Sequence, residues 1–212
     1  MMAAPPIVHV VDDDAAFRAA IARLLCASGY QVELYSSASE LLEKLPGGEP
    51  GCILLDVKMS GLSGPQLQDR LGELGYRLPI VFLTGHGDVP TSVRAIKTGA
   101  DDFLTKPAPK KDLLAAIKRA LARYEEMRDR NSRIAALQSL VLSLTPRERE
   151  VFALVVRGKL NKQIAHELDT AERTIKAHRQ QVMEKCKVQS LAELVLIAER
   201  LGMLLAPHGN GP

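Results

Sequence analysis

The strongest constraint on the fold of this chain is a regular alternation, over residues 7–105, of short apolar runs with segments of helical periodicity. The apolar runs are rich in β-branched residues and leucine, which is typical of strands. They lie at residues 7–11, 31–35, 52–56, 80–84 and 102–105. The intervening segments, with apolar residues three and four apart, are 15–28, 38–45, 64–74 and 89–98. The alternation predicts an α/β domain, a doubly wound parallel sheet of five strands with helices on both faces.

Polar groups stand where these strands end. Residues 12–14 are all aspartate and follow the first strand, Asp56 ends the third, Thr84 ends the fourth and Lys106 follows the fifth. Because the carboxyl ends of parallel strands meet at one edge of a sheet, we expect these groups to lie together. Carboxylates this close need a cation to stay ionised, and hard oxygen ligands predict Mg²⁺. With an added hydroxyl and amine, the site suits transfer of a phosphoryl group to Asp56.

Four segments carry a resemblance to a known family. VVDDD, ILLDVKMSGLSG, FLTGHGD and DDFLTKP occur in this order and resemble the signature of a two-component receiver domain, over about residues 5–125. The resemblance implies a flavodoxin-like fold with Asp56 as the phosphoacceptor, served by a sensor histidine kinase. It implies Asp13 as a direct Mg²⁺ ligand, Asp12 as a ligand through water, and the main-chain carbonyl of Lys58 as a further ligand.

The same resemblance implies roles for three more residues. Thr84 would turn toward the phosphoryl group, Lys106 would bridge to it, and Phe103 would be an aromatic switch that moves inward. Asp14 is interpreted instead as the N-cap of the first helix. Two positions depart from the family pattern, since Ser60 stands where proline is common and Ala108 where an aromatic residue is common. Residues 58 and 86, Lys and His, are hypothesised to set the lifetime of the phosphorylated state.

The last third of the chain has a different charge and pattern. Residues 1–144 carry 17 basic and 17 acidic residues, and residues 145–212 carry 11 and 8, so the net charge of +3 lies entirely in the second part. Basic residues are densest over 173–187, which favours a polyanionic partner, although a solvated helix face is the alternative.

Turn and cap signals divide this part into short helices. Thr145, Pro146 and Glu148 form a capping box with proline at the first helical position, and Gly158 ends the helix that follows. Further helices are predicted over 161–168, 172–185 and 191–201. Two short helices that meet across a tight turn at 169–170 predict a helix-turn-helix, in which the second helix enters the major groove of DNA.

The helix over 172–185 separates into two faces. Ile175, Val182 and Cys186 form a buried stripe at spacings of seven and four. The other side, predicted to read bases, carries Arg173, Lys176, Ala177 and Gln180. Lysine can donate to guanine, glutamine can pair with adenine, and alanine leaves room for a thymine methyl group. The residues predicted to contact phosphates are Asn161, Lys162, Thr174 and Arg179.

This segment resembles the LuxR-type helix-turn-helix of NarL/FixJ-family response regulators, especially in NKQIA, ERTIK and the trailing HR, and the FixJ-like branch is the best match. The resemblance implies a small all-α four-helix domain, binding of double-stranded promoter DNA, and a homodimer when phosphorylated. The expected division is a receiver at 1–125, a helical linker at 126–143, the DNA-binding domain at 144–206 and a disordered tail at 207–212. The alternative is a phosphorelay or interaction protein whose helical domain binds a protein partner; an enzyme is not expected.

Three further expectations concern the linker, the cysteines and the compartment. A heptad seam from Leu113 to Val141 predicts a long helix that joins the domains, and it marks either a dimer contact or a helix that rests on its own domains. Cys26, Cys52 and Cys186 form no metal or disulfide pattern and are expected to be small buried residues. Without a signal peptide or a run of about 18 apolar residues, the chain is expected to be cytoplasmic and not bound to a membrane.

Overall fold

The computed structural model describes residues 6–44, 50–85 and 102–204. The chain forms two compact units, Met1–Arg128 and Asp129–Pro212. The helix predicted over 89–98, the hypothesised role of His86 and the tail at 207–212 lie outside the described residues. Across the part of the chain that is described, no helix is long and apolar enough to span a bilayer.

The first unit is built on the predicted parallel sheet. Its strands are β1 (Ile7–Val11), β2 (Gln31–Tyr35), β3 (Gly51–Asp56), β4 (Ile80–Thr84) and β5 (Asp102–Thr105). The strand order is β2-β1-β3-β4-β5, and every neighbouring pair is parallel. All residues of β3 and β4 are buried, which explains their continuous apolar sequence. Separate apolar cores lie on the two faces of the sheet, as a doubly wound fold requires.

Three helices connect the described strands. They are α1 (Ala15–Ala27), α2 (Ala38–Glu43) and α3 (Gly64–Glu73). The predicted N-cap of α1 is confirmed, because the Asp14 carboxylate accepts from the N–H groups of Ala16 and Phe17 at 2.8 and 3.1 Å. α3 begins after Ser63, whose N–H and hydroxyl donate to the side chain of Gln66. These caps place the helix starts just beyond the carboxyl ends of β1 and β3.

A helix of 33 residues, α4 (Lys110–Leu142), follows β5. It carries the predicted heptad seam, whose first members Leu113 and Ile117 lie in a core of the first unit and whose last member, Val141, lies in the core of the second. In the middle of the seam Asn131 and Gln138 are exposed. The two ends of the seam are therefore core residues of their own units.

The second unit contains four shorter helices, α5 (Pro146–Val155), α6 (Asn161–Glu167), α7 (Glu172–Lys185) and α8 (Leu191–Arg200). The capping box is confirmed: Thr145 N–H donates to Glu148 Oε2 at 2.8 Å, and Glu148 N–H donates to Thr145 Oγ1 at 3.3 Å. The turn between α6 and α7 contains Asp169 at φ 45°, a left-handed conformation that aspartate tolerates better than most residues. The four predicted helices and the tight turn are thus present.

One cysteine differs from expectation. Cys52 and Cys186 are buried, as predicted, but Cys26 is exposed. α1 turns Leu25 fully into the core, and the next residue is rotated by about 100° around the helix axis. The prediction for Cys26 was wrong because it used residue type and ignored helix phase.

Candidate functional site

The structure brings the predicted acidic residues together at the carboxyl edge of the sheet. β1 and β3 pair in register up to Val11 and Leu55, so the residues that follow them emerge side by side. One carboxylate oxygen from each of Asp12, Asp13 and Asp56 lies within 4.8 Å of the other two. Asp12 and Asp56 are buried, whereas Asp13 is exposed. The cluster thus has two buried carboxylates, Asp12 and Asp56, and one exposed carboxylate, Asp13, at the carboxyl edge of the sheet.

Lys106 reaches into this cluster from the end of β5. Its Nζ lies 2.5 Å from Asp12 Oδ2 and 3.2 Å from Asp56 Oδ1. The ring of Phe17, in the first turns of α1, lies against the same ammonium group, 4.2 Å from Nζ to the ring centroid. A cation over an aromatic face is attracted by its π electrons. The amine is therefore held between two carboxylates and one ring.

The electrostatics of Asp56 and Asp13 differ because their burial differs. Removal from water raises the pKa of the Asp56 carboxyl, an effect that the charge of Lys106 opposes and that of Asp12 reinforces. A backbone hydrogen bond from Ser60 is the main cause that lowers the pKa of Asp13, which stays exposed to solvent. Of these two carboxylates, Asp56 is therefore the one whose ionised form an added cation would stabilise more.

Thr84 and Phe103 occupy neighbouring strands beside this cluster. The Thr84 side chain is buried, and its hydroxyl donates to the carbonyl oxygen of Gly85 at 2.8 Å. Phe103 is half-buried, and its ring centroid lies 6.2 Å from that of Phe82, its register partner on β4. Thr84 is the last residue of β4, and Phe103 lies two residues before the last residue of β5.

The donors of the cluster fit Mg²⁺. Three carboxylates supply only oxygen atoms, the ligands that Mg²⁺ prefers, and one or two of them suffice because the ion retains several waters. Lys58 lies two residues beyond the end of β3, and its backbone N–H donates to the Asp56 carboxylate. The main chain at residue 58 is therefore beside the cluster, where its carbonyl was expected to be a further Mg²⁺ ligand.

Sequence reasoning missed three contacts of this site. Phe17 covers the Lys106 amine, Arg18 donates to the backbone carbonyl of Asp12 at 2.5 Å, and Ser60 donates to Asp13 from both its N–H and its hydroxyl. The position of Phe17 and Arg18 in the first turns of a helix that starts beside the acidic residues was the available signal. For Ser60 the signal was its departure from the family pattern.

Gly64 supports the site from the start of α3. A Cβ atom at this position would lie 2.4 Å from the backbone oxygen of Asp56 and 3.0 Å from Phe82 Cε1. We expect Gly64→Ala to force α3 away from the end of β3 and to lower the free energy of unfolding of the first unit by about 1–3 kcal/mol. Urea unfolding followed by tyrosine fluorescence measures this, because all four tyrosines lie in the first unit.

Gly72 is the matched control, because it lies in the same helix and a Cβ atom there would meet nothing within 4 Å. Gly72→Ala should raise the free energy of unfolding by about 0.5 kcal/mol, since alanine restricts the unfolded chain more than glycine does. Equal effects of the two substitutions would show that helix propensity, and not the close approach to Asp56, governs position 64.

The second candidate site lies on α6 and α7. Ile175, Val182 and Cys186 belong to the core of the second unit, as predicted. The predicted base-reading residues, Arg173, Lys176, Ala177 and Gln180, are all exposed. Among the predicted phosphate contacts, Lys162 and Thr174 are exposed and Asn161 and Arg179 are half-buried. The helix thus presents a basic and polar face opposite its buried stripe.

Two pairs of side chains fix α7 within this unit. Arg179 donates to the side-chain oxygen of Asn161 at 2.8 Å, which links α7 to the start of α6. At the carboxyl end of α7, Lys185 Nζ lies 2.9 and 2.7 Å from the two carboxylate oxygens of Glu148, on α5. Hydrogen bonds from Lys185 are the main cause that lowers the pKa of Glu148. Polar contacts at the middle and at the carboxyl end of α7 therefore hold the helix against α6 and α5.

Comparisons with known proteins identify the domain families of the two units. Residues 8–118 match the profile of the response regulator receiver domain, and residues 142–198 match that of the bacterial regulatory proteins of the luxR family. The response regulator protein TodT of Pseudomonas putida is 44% identical over 195 residues, 92% of this chain and 86% of its own length. The transcriptional regulatory protein FixJ of Bradyrhizobium diazoefficiens is 42% identical over 197 residues, 93% and 96% of the two chains.

A solved structure extends this likeness to the fold. The response regulator StyR, known from a low-resolution structure, is 45% identical and superimposes with a TM-score of 0.82 over 93% of this chain and all of its own.

Proposed function

This chain belongs to the NarL/FixJ family of two-component response regulators, with a receiver domain and a LuxR-type DNA-binding domain, and we propose that phosphorylation of Asp56 controls its DNA binding. The donor is a sensor histidine kinase. The single observation that carries the proposal is the juxtaposition of Asp12, Asp13 and Asp56 with the Lys106 amine, at the edge of the sheet where β1, β3 and β5 end.

The proposed reaction is transfer of a phosphoryl group from a phosphohistidine. An Asp56 carboxylate oxygen attacks phosphorus in line, the P–N bond breaks, and the imidazole leaves with the electron pair and takes up a proton. Lys106, already 3.2 Å from Asp56, donates to the transferred group. Asp13, Asp56, the main-chain carbonyl of Lys58 and, through water, Asp12 would hold Mg²⁺, which would neutralise charge on the phosphoryl oxygens.

The switch follows from the new group on Asp56. The Thr84 hydroxyl, which donates to Gly85, exchanges that acceptor for a phosphoryl oxygen, and Phe103 packs further inward beside Phe82. Such a repacking shifts a population between two conformations, so the unphosphorylated protein retains weak DNA binding. Phosphoryl transfer to Asp56 is a modification of the protein itself, and the chain is not proposed to be an enzyme that acts on another substrate.

In the proposed arrangement the receiver is residues 1–125, the linker 126–143, the DNA-binding domain 144–206 and the tail 207–212. Two copies, paired after phosphorylation, bind a pseudo-symmetric promoter site with α7 in the major groove. Promoter DNA as the partner puts the protein in the cytoplasm.

Phosphopeptide mapping tests the proposal. The protein is incubated with acetyl phosphate and Mg²⁺, reduced with borohydride to trap the acyl phosphate, and digested for mass spectrometry. A label on Asp56 and tighter binding to DNA after the same treatment support the proposal. A label confined to another residue would disprove it.

Lys176 is expected to read a base from the exposed face of α7. On a duplex that the protein selects from a random library, Lys176→Ala should weaken binding by about 1–3 kcal/mol and relax the preference at one position. On unrelated DNA the same substitution should weaken binding less, because there Lys176 contributes only its charge to the sequence-independent attraction to phosphates. Fluorescence anisotropy with matched and scrambled duplexes measures both affinities.

Lys162 provides the control, since it is also exposed but is expected to contact a phosphate. Lys162→Ala should weaken binding equally on both duplexes and reduce the slope of log affinity against log salt by about 1. If Lys176→Ala behaves in the same way as Lys162→Ala, Lys176 is a phosphate contact and the assignment of base readout is wrong.

A further inference from the structure

Ser60 makes two hydrogen bonds to one oxygen of the Asp13 carboxylate. Its backbone N–H lies 2.9 Å from Asp13 Oδ2, and its hydroxyl oxygen lies 3.2 Å from the same atom. The two residues are 47 positions apart; one follows β1 and the other follows β3. These bonds therefore join the two loops that carry the acidic cluster.

The orientation of the Asp13 carboxylate is constrained mainly by Ser60, whereas burial and Lys106 constrain Asp12 and Asp56. Asp12 and Asp56 are buried, and both lie within 3.2 Å of the Lys106 amine. Asp13 is exposed, and among the described residues the hydrogen bonds that it accepts from another residue come from Ser60. An exposed aspartate without such bonds samples several rotamers, so Ser60 determines where the carboxylate points.

The two bonds leave Asp13 able to bind a cation. A carboxylate offers about four lone-pair sites on its two oxygens, and Ser60 engages only Oδ2. Mg²⁺ demands near-octahedral geometry, which rewards a ligand that is already oriented. Donors that orient a ligating carboxylate from outside the coordination sphere typically change metal affinity about 10–100-fold when they are removed.

We propose that Ser60 is a positioning residue for the Mg²⁺ site, whose backbone N–H and hydroxyl hold the Asp13 carboxylate in its ligating orientation. The inference rests on the proposed function and deepens it. The type of residue at position 60 decides how many donors Asp13 receives: serine supplies two, alanine one and proline none. Proline, common at this position in the resembled family, would therefore give this chain a weaker site.

Isothermal titration calorimetry of the full chain with MgCl₂ tests the inference without any phosphorylation step. We expect Ser60→Ala to weaken Mg²⁺ binding about two- to threefold and Ser60→Pro about tenfold, at the lower end of the range for orienting donors. Ser36→Ala is a matched control, because Ser36 also donates from its N–H and its hydroxyl to one carboxylate oxygen, on Glu40, which is not part of the cluster. The control should bind Mg²⁺ as the parent does.

The outcomes separate this inference from the proposed function. If the parent chain binds Mg²⁺ and both Ser60 variants bind it equally well, Ser60 does not position Asp13 and the inference is wrong, while the proposed function stands. If the parent chain binds no Mg²⁺, both the inference about Ser60 and the proposed function are wrong. Circular dichroism verifies the fold of each variant; should Ser60→Pro not fold, the comparison of Ser60→Ala with Ser36→Ala decides.

Discussion

Asp56→Asn is expected to abolish phosphorylation of the protein by acetyl phosphate or a sensor kinase while the fold is retained. The amide cannot supply the carboxylate oxygen that attacks phosphorus, and loss of such a nucleophile typically costs at least about 1,000-fold in rate. The side chain keeps its shape, and the buried position loses a charge that burial disfavours. Phosphate-affinity electrophoresis measures the phosphorylated fraction, and circular dichroism measures the fold.

Asp14→Asn is the matched control for this experiment. Asp14 adjoins the cluster but caps α1, and asparagine caps helices as well as aspartate does. This variant should be phosphorylated at the parental rate, and its DNA binding should respond to the phosphodonor. Phosphorylation of Asp56→Asn to the parental extent would refute Asp56 as the acceptor, whatever the behaviour of the control.

The position of the acidic cluster was predictable because it depends on topology alone. Parallel strands bring their carboxyl ends to one edge, so Asp12, Asp56 and Lys106 had to meet once the strands were recognised. The phase of α7 was predictable for a similar reason: at 3.6 residues per turn, Lys176 lies about 100° around the helix axis from the buried Ile175. Both inferences need only the periodicity of an element and the direction of the chain.

Contacts between loops and helix ends were not predictable in this way. The bonds from Ser60 to Asp13 span 47 residues and those from Lys185 to Glu148 span 37. They depend on ångström-scale distances between elements that no local pattern encodes. Glu148 shows the difference between local and long-range contacts. Its role in the capping box with Thr145 was predicted from the sequence, but its second role as the partner of Lys185 was not.

The contact of Glu148 with Lys185 leads to the second prediction with a large expected effect, on the stability of the second unit. Glu148 is 5% exposed and joins the start of α5 to the last residue of α7 while it also caps α5. Glu148→Ala removes the Glu148 half of the capping box, while the Thr145 hydroxyl still accepts from the N–H of residue 148, and it leaves Lys185 without its partner. We expect the free energy of unfolding of the second unit to fall by about 2–4 kcal/mol. Glu148→Gln can keep the cap and should lose about 1–2 kcal/mol.

The loss should depend on pH in a defined direction. Glu148 has a folded-state pKa below its ordinary value of 4.5, so its charge stabilises the fold above the unfolded-state pKa. The difference between the parent and Glu148→Gln should be constant above about pH 5.5 and shrink as the pH falls below it, through the lowered pKa of the folded state. Because the second unit contains no tyrosine or tryptophan, urea titrations followed by NMR amide signals of α5 and α7 are the suitable measurement.

Glu150 tests whether the effect belongs to the partly buried pair of Glu148 and Lys185. It lies on the same helix, and its pair with Arg147, at 2.8 Å, is exposed to solvent, with side-chain exposures of 51% and 38%. Glu150→Gln should change the free energy of unfolding by less than about 0.5 kcal/mol, because water screens such pairs. Since α7 carries the face proposed to enter DNA, Glu148→Gln should also weaken DNA binding as α7 loosens, whereas Glu150→Gln should not. A Glu148→Gln variant as stable as the parent at pH 7 would show that Lys185 adds nothing to the anchoring of α7.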